Sequence, residues 1–454
     1  MSAVPTLATR NRNRELMLLV VAIVISGAIP MLVKAADSPD IPADTWGFMT
    51  LTAALFLGLH LVIRRFAPNA SPIFLPVTGL LVGIGYAMVV RLDPAQSAYQ
   101  GMWILVGVGA FVATLVLLPD YRILDRFRYT AGLVGLGLLL LPLVPGVGRT
   151  INGSRIWVRL GPLAFQPGEL AKILLVVFFA SFLNERRELL AIPTRRLGPL
   201  GIPDLKHFGP ILAVWGITLA VLMFEKDLGS SLLIFSIFLA IIYVATSRAA
   251  YVIVGLGLFA LGAFAAYQLF GHVQTRVAGW MDPLNPATVS GETFQIAQSL
   301  FALAAGGLFG TGLGLGSPKR IPEVATDFVF SAIGEELGLV GAIGVIVLYI
   351  GLVGTALRTA LRCSNTFGKL LAVGFTTAIA VQSFIIMGGV TRLIPLTGIT
   401  LPFISRGGSS VVSNFVIVGL LVVISDQSIG GPRGRGTLWR RKPIPVQALT
   451  GDAA

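Results

Sequence analysis

The chain has 454 residues, of which 55% are hydrophobic and 12% charged, with a mean hydropathy of +0.85. Soluble domains carry about 25% charged residues, so a soluble enzyme is excluded and an all-α polytopic membrane protein is predicted. The net charge of +13 does not point to nucleic acid, because most basic residues flank apolar segments, where they set topology and meet anionic lipid.

A membrane-crossing helix needs about 20 apolar residues. In chain order, twelve segments qualify, near 15–34, 45–63, 73–90, 102–118, 129–146, 168–184, 207–223, 229–246, 249–270, 328–357, 370–390 and 409–426. Ahead of the first lies a basic tail, 1–14, and after the last a second, 428–454; both are expected to be disordered and cytoplasmic. No small-residue cleavage site follows the first apolar run, so that helix is expected to stay as an anchor. Basic residues collect on alternate connections, among them Arg64 and Arg65, Arg122, Arg126 and Arg128, Arg186 to Lys206, Arg248, and Arg358 to Lys369. This alternation puts both termini inside. The chain divides into N-terminal helices at 15–95 and a core at 96–427. The single cysteine, Cys363, excludes an internal disulfide, and one cysteine with three histidines argues against a His/Cys metal site.

On this topology the external segments are 147–167, 224–228, 271–327 and 391–408, each richer in charge, Gly and Pro than a simple connection needs. The first holds Asn152 to Trp157 and leads through Gln166-Pro167-Gly168-Glu169 to Lys172. Glu169 and Lys172 are three apart and share a helix face; they read either as a structural ion pair or as the wall of a polar cavity that meets an anionic substrate. The same choice applies to Glu225-Lys226-Asp227 before the eighth helix. Arg155, Arg159 and Arg276 place external cations where guanidinium can grip phosphate.

The loop at 271–327 exceeds the length at which loops acquire function, about 12–15 residues. Within it, Asp282 is the first acid, and Asp before Pro reads as a turn residue or as a functional one. Glu292 is the reserve candidate. Residues 293–309 predict a short amphipathic helix that lies on the membrane or caps a cavity. The run Gly310-Thr311-Gly312-Leu313-Gly314-Leu315-Gly316 is expected to be a flexible hinge; it lacks the strand and the Gly-Lys-Ser/Thr of a nucleotide loop. Glu323, Asp327, Glu335 and Glu336 then enter a strongly apolar segment, where carboxylates are costly and mark a functional site. Residues 393–410, apolar but broken by Pro and Gly, predict a re-entrant element.

Six stretches resemble, in order, the SEDS family (shape, elongation, division and sporulation) of RodA and FtsW-type cell-wall polymerases: Gly153 to Trp157, Gln166 to Lys172, Asp227-Leu228-Gly229, Gln298 to Gly316, Pro322 to Gly338, and Pro395 to Ser410. The resemblance implies a ten-helix enzyme, here with two extra N-terminal helices, that polymerises lipid II on the outer membrane face; between the family's two branches, the short C-terminal tail at 428–454 favours elongation over division. The resemblance also implies a class B penicillin-binding transpeptidase as partner and maps the family's essential aspartate, as catalytic base, onto Asp282. The expected substrate-binding residues are Arg155, Glu169, Lys172, Asp227, Arg276, Glu323, Asp327, Glu335 and Ser409. Arg155, Lys172 and Arg276 would stabilise the leaving pyrophosphate, with a divalent cation (Mg or Mn) held by Glu or Asp left open. Arg406 stands where the family has tyrosine. The alternatives are a lipid-precursor flippase or transporter, a division-type polymerase and a non-catalytic scaffold.

Overall fold

The computed structural model describes residues 7–37, 43–151, 154–160, 163–191, 195–197, 200–202, 205–285, 288, 291 and 293–430. The chain begins with helices α1 (Leu7–Asp37), α2 (Ala43–Phe66), α3 (Phe74–Leu92), α4 (Ser97–Leu117) and α5 (Arg128–Leu140). An antiparallel sheet, β1 (Gly148–Ile151), β2 (Ser154–Leu160) and β3 (Leu163–Phe165), precedes α6 (Pro167–Ala191). A small hairpin, β4 (Arg195–Leu197) and β5 (Leu200–Ile202), leads to α7 (Leu205–Phe224), α8 (Leu228–Thr246) and α9 (Ala249–Leu269). Two short helices follow, α10 (Gly271–Met281) and α11 (Phe294–Gly306), before α12 (Val329–Arg362), α13 (Thr366–Val390) and α14 (Gly408–Gly430).

Among the described residues, ten helices are long and apolar enough to cross a membrane. The other two expected spans fall on α2 and α7, parts of which lie outside the described side chains. The bundle centres on α6, α13 and α14, which are largely enclosed, whereas α9 has only 6% of its spanning window buried and is peripheral. Helix α14 packs on α4, α6 on α5 and α8, and α13 on α8 and α12. Such helices are apolar all round, because lipid and protein interior are equally apolar.

Three expectations change. Residues 7–14 are helical rather than disordered, because Arg12 is buried and donates to Glu15 and to the Ala70 carbonyl, while His60 of α2 lies 2.7 Å from Glu15. The segment 147–167 forms a sheet. Its signal was present: Arg155 to Leu160 alternates, and Asn152-Gly153, itself outside the described residues, is the dipeptide that favours two-residue hairpins.

The third change concerns the glycine run, which is pinned and not a hinge. Thr311 and Gly312 donate backbone N–H bonds to the Glu335 and Glu336 carbonyls (2.9 and 3.1 Å), and Leu339 and Val340 donate to Gly307 and Leu308. These exchanges are possible because α12 breaks at Gly338, whose φ of 67° and ψ of −168° lie outside the helical region. Glu336, fully buried, accepts from Arg91 of α3 (3.1 Å) and from the Gly314 N–H, while Arg91 also donates to the Gly314 and Gly316 carbonyls.

Candidate functional site

The four segments predicted to carry chemistry converge at one end of the bundle around a cavity of about 440 Å³. Its walls come from the sheet and the start of α6, from α8, from α10, from residues 323–327, and from residues 398–408 with α4 behind them. Of the expected residues, Glu169, Lys172, Arg276, Glu323 and Asp327 line it.

Lys172 and Glu169 resolve the choice left open by their spacing: they are an ion pair and also the cavity wall. Lys172 Nζ lies 2.6 Å from Glu169 and donates to Gln382 of α13 at 2.9 Å; Glu169 in turn accepts from Ser413 of α14 at 2.7 Å. One turn at the start of α6 thus ties together three central helices and still presents an ammonium to the cavity. Gln382 carried no signal in the sequence, since a lone amide in an apolar helix has no pattern.

Arg276 projects from α10, donates to the Thr397 carbonyl at 3.0 Å, and lines a second pocket as well. That pocket, also about 440 Å³, is an almost wholly apolar groove between α7, α8, α9 and α10, bounded by residues 394–397. Arg276 and its neighbours therefore stand at the junction of a polar chamber and an apolar one. Burial lowers the Arg276 pKa, opposed by the nearby carboxylates of Asp227 and Asp327.

Asp327 is half-buried and opens onto the cavity, and desolvation, reinforced by Glu323, pushes it up to about 6. Arg406, which sequence comparison flagged only as an odd residue, lines the cavity and bridges two acids: it pairs with Asp93 at the end of α3 and lies 3.9 Å from Glu323.

The remaining expected residues flank the cavity. Asp227 caps α8, accepting from the Ser230 amide (2.9 Å) and hydroxyl (2.6 Å); Ser230 is the one that lines the cavity. Ser409 accepts from the Gln166 N–H at 3.3 Å, and Arg155 donates to the Val144 carbonyl at 3.2 Å. Glu335 accepts from the Ser317 N–H at 2.8 Å, which holds the glycine run instead of facing the cavity. Asp282 is exposed at the end of α10 and outside the cavity lining. Beside it, Arg392 donates to the Trp280 and Met281 carbonyls. Glu292 lies outside the described residues.

Glu225, next to this wall, has a buried carboxylate oxygen with no hydrogen-bond partner. Burial, with a smaller contribution from Asp227, pushes it from 4.5 up to about 8. A carboxyl whose folded pKa is raised gives stability that is complete below its unfolded pKa and lost as pH rises through the folded one. Glu225→Gln is accordingly expected to leave Tm unchanged near pH 4.5 and to raise it by about 2 °C or more near pH 9. Melting curves in detergent check this; equal shifts at both pH values would contradict it.

Among the described residues, no three His, Cys, Asp or Glu side chains converge to hold a metal ion. The positive charge of the cavity comes from Lys172, Arg276 and Arg406.

The sequence profile of the FtsW/RodA/SpoVE family, described as a cell cycle protein, matches residues 70–429. The chain is 45% identical over 432 residues to the peptidoglycan glycosyltransferase RodA of Mycobacterium tuberculosis (strain ATCC 25618 / H37Rv), covering 93% of this chain and 92% of that one. It is 35% identical over 338 residues to the probable peptidoglycan glycosyltransferase FtsW of Geobacter metallireducens, covering 73% and 85%. Among solved structures, it resembles a chain of a peptidoglycan synthase complex that coordinates polymerisation and crosslinking (TM-score 0.66, 27% identity, 79% of this chain and 98% of that one). It also resembles the rod shape determining protein RodA of Thermus thermophilus (TM-score 0.55, 29% identity, 78% and 96%).

Proposed function

The chain belongs to the FtsW/RodA/SpoVE family, and from that premise we propose that it is the elongation-type peptidoglycan glycosyltransferase that polymerises lipid II on the outer face of the cytoplasmic membrane. Both termini are then cytoplasmic, and a class B penicillin-binding transpeptidase is the partner that crosslinks the product.

One observation carries this reading. A lipid-linked sugar diphosphate has a polar head, a doubly anionic joint and a long apolar tail, and the protein offers the same order: a polar cavity, Arg276 at the joint, and an apolar groove. The sugars occupy the cavity, the diphosphate meets Arg276 and Lys172, and the isoprenoid follows α9 toward lipid. Fixed cations aimed at the leaving diphosphate stabilise charge that develops only in the transition state. Attack by the acceptor 4-hydroxyl inverts the anomeric carbon and gives a β-1,4 link.

The test uses protein purified with its cognate transpeptidase and labelled lipid II, with glycan polymer read on a gel. Wild type is expected to make polymer. Asp282→Asn is expected to make it at a rate within a few-fold of wild type, because Asp282 is exposed and outside the cavity. Absence of polymer from an active wild-type complex would instead favour a lipid-precursor flippase.

A further inference from the structure

We propose that the first turns of α4, with Gly407 and Gly408 behind them, bind an N-acetylated sugar of the acceptor substrate; this deepens the polymerase reading above and rests on it. Gln96, Tyr99, Gln100 and Trp103 all line the polar cavity. Gln100 follows Gln96 by four positions, and Trp103 follows Tyr99 by four, so helical spacing turns them toward a common face.

Two observations mark a ligand site here. Gln100 is 2% exposed, and its side-chain oxygen accepts from the Gly407 N–H at 3.3 Å. That bond turns the amide nitrogen the other way, and Nε2 is buried with no hydrogen-bond partner among the described residues. A buried donor without an acceptor is costly; in a cavity wall, a ligand oxygen can satisfy it.

Trp103 supplies the second observation. A Cβ built at Gly408 would lie 2.3 Å from both Cε2 and Nε1 of the indole and 2.4 Å from Cδ2. Near-equal distances to three ring atoms put the Gly408 backbone against the face of the ring. Glycine there lets the indole lie flat on the main chain, and the half-buried residue still borders the cavity.

A pyranose fits this pair. Its C–H face is apolar and stacks on a fixed aromatic ring, while its hydroxyls and acetamide need a few well-placed polar partners. The acetamide carbonyl accepts from Gln100 Nε2, with Gln96 and Tyr99 as further polar groups on the same wall.

Position assigns this sugar to the acceptor. Arg276 and the apolar groove take the donor's diphosphate and tail, and none of the residues lining that groove belongs to α4. Inversion brings the nucleophile to the face of the donor ring opposite the leaving group. The acceptor sugar therefore comes from a wall that does not hold the diphosphate.

Two lipid II analogues separate the subsites. One carries a methyl ether on its GlcNAc 4-hydroxyl and can only donate; the other has carbon in place of its anomeric oxygen and can only accept. One transfer between them gives a tetrasaccharide, and its initial rate is measured for the transpeptidase complex while each analogue is varied in turn. Gln100→Leu is expected to raise the acceptor KM about threefold to tenfold, and Trp103→Leu about tenfold. Donor KM and kcat are expected to stay within about twofold of wild type, as for a contact made equally in ground and transition states. Trp103→Phe, which keeps an aromatic face, is expected to fall between Trp103→Leu and wild type. The proposal is overturned if the acceptor KM of Gln100→Leu stays within about twofold of wild type, or if donor KM rises as much as acceptor KM. Gln100→Leu nearly conserves side-chain volume, so it decides the matter even where Trp103→Leu does not fold. Failure of the polymerase reading would show separately, as a wild-type complex that makes no polymer from natural lipid II.

Discussion

Lys172→Met is expected to lower polymerisation by about 10²–10³-fold, the usual cost of removing one preorganised electrostatic donor. It is also expected to destabilise the protein by about 3–5 kcal/mol, because Glu169 is left buried without its counter-ion. The two effects separate in the double variant Lys172→Met/Glu169→Gln, which has no orphaned charge. Its melting temperature should return toward wild type while polymerisation stays low. A single variant that polymerises at the wild-type rate would remove Lys172 from the site, and a double variant that recovers activity would reduce the pair to a structural tie between α6, α13 and α14.

The second large effect is expected at the break in α12. Gly338 holds a φ of 67°, and a Cβ there would stand 2.3 Å from the Gly310 nitrogen and 2.5 Å from the Leu308 oxygen. Both are backbone atoms of the pinned glycine run, so no side-chain rotation relieves the clash, and the conformation itself is strained for any L-residue. Gly338→Ala should cost more than about 4 kcal/mol, the range reserved for broken packing or backbone strain. The expected result is little folded protein in the membrane fraction. Gly344→Ala is the contrast: it lies in the same helix with no heavy atom within 4 Å of its Cβ position, and its yield and melting temperature should match or exceed wild type. Equal behaviour of the two variants would show that the break is not needed.

This break fixes a glycine run that composition alone would leave flexible. Glycines at 310, 312 and 314 do adopt positive φ, as a loop rich in glycine permits. Flexibility, however, depends on what the backbone groups bond to, and their partners, the carbonyls of Glu335 and Glu336, become available only because α12 is interrupted more than twenty residues later. The same holds for Glu335 and Glu336. Carboxylates at the edge of an apolar segment are unusual in the sequence, and in the fold they clamp the run through Ser317, Gly314 and Arg91. Sequence supplied the anomaly, and only the folded chain supplied the partner.

The candidate site divides in the same way. Glu169 and Lys172 were legible as a unit because helical geometry puts residues three apart on one face. Asp282 and Asp327 were both legible as acids in external segments, but their environments were not. Asp282 ends α10 at the surface, whereas Asp327, 45 positions later in the chain, is half-buried in the wall of the cavity that α8, α10 and the 398–408 segment also line. Burial, and with it the pKa of a carboxyl, is a property of the elements packed around a residue and has no local code.

What the sequence determined by itself was the class of molecule: a helical, multi-pass membrane protein whose polar loops at one end hold the chemistry. Hydropathy and charge fix this residue by residue, since each apolar stretch must satisfy its own backbone in lipid. What only the tertiary structure decided was which of those polar residues meet. The cavity, the apolar groove beside it and the placement of Arg276 between them bring together segments more than two hundred residues apart. Contacts at that separation follow from how helices pack, not from the local pattern that makes each one a helix.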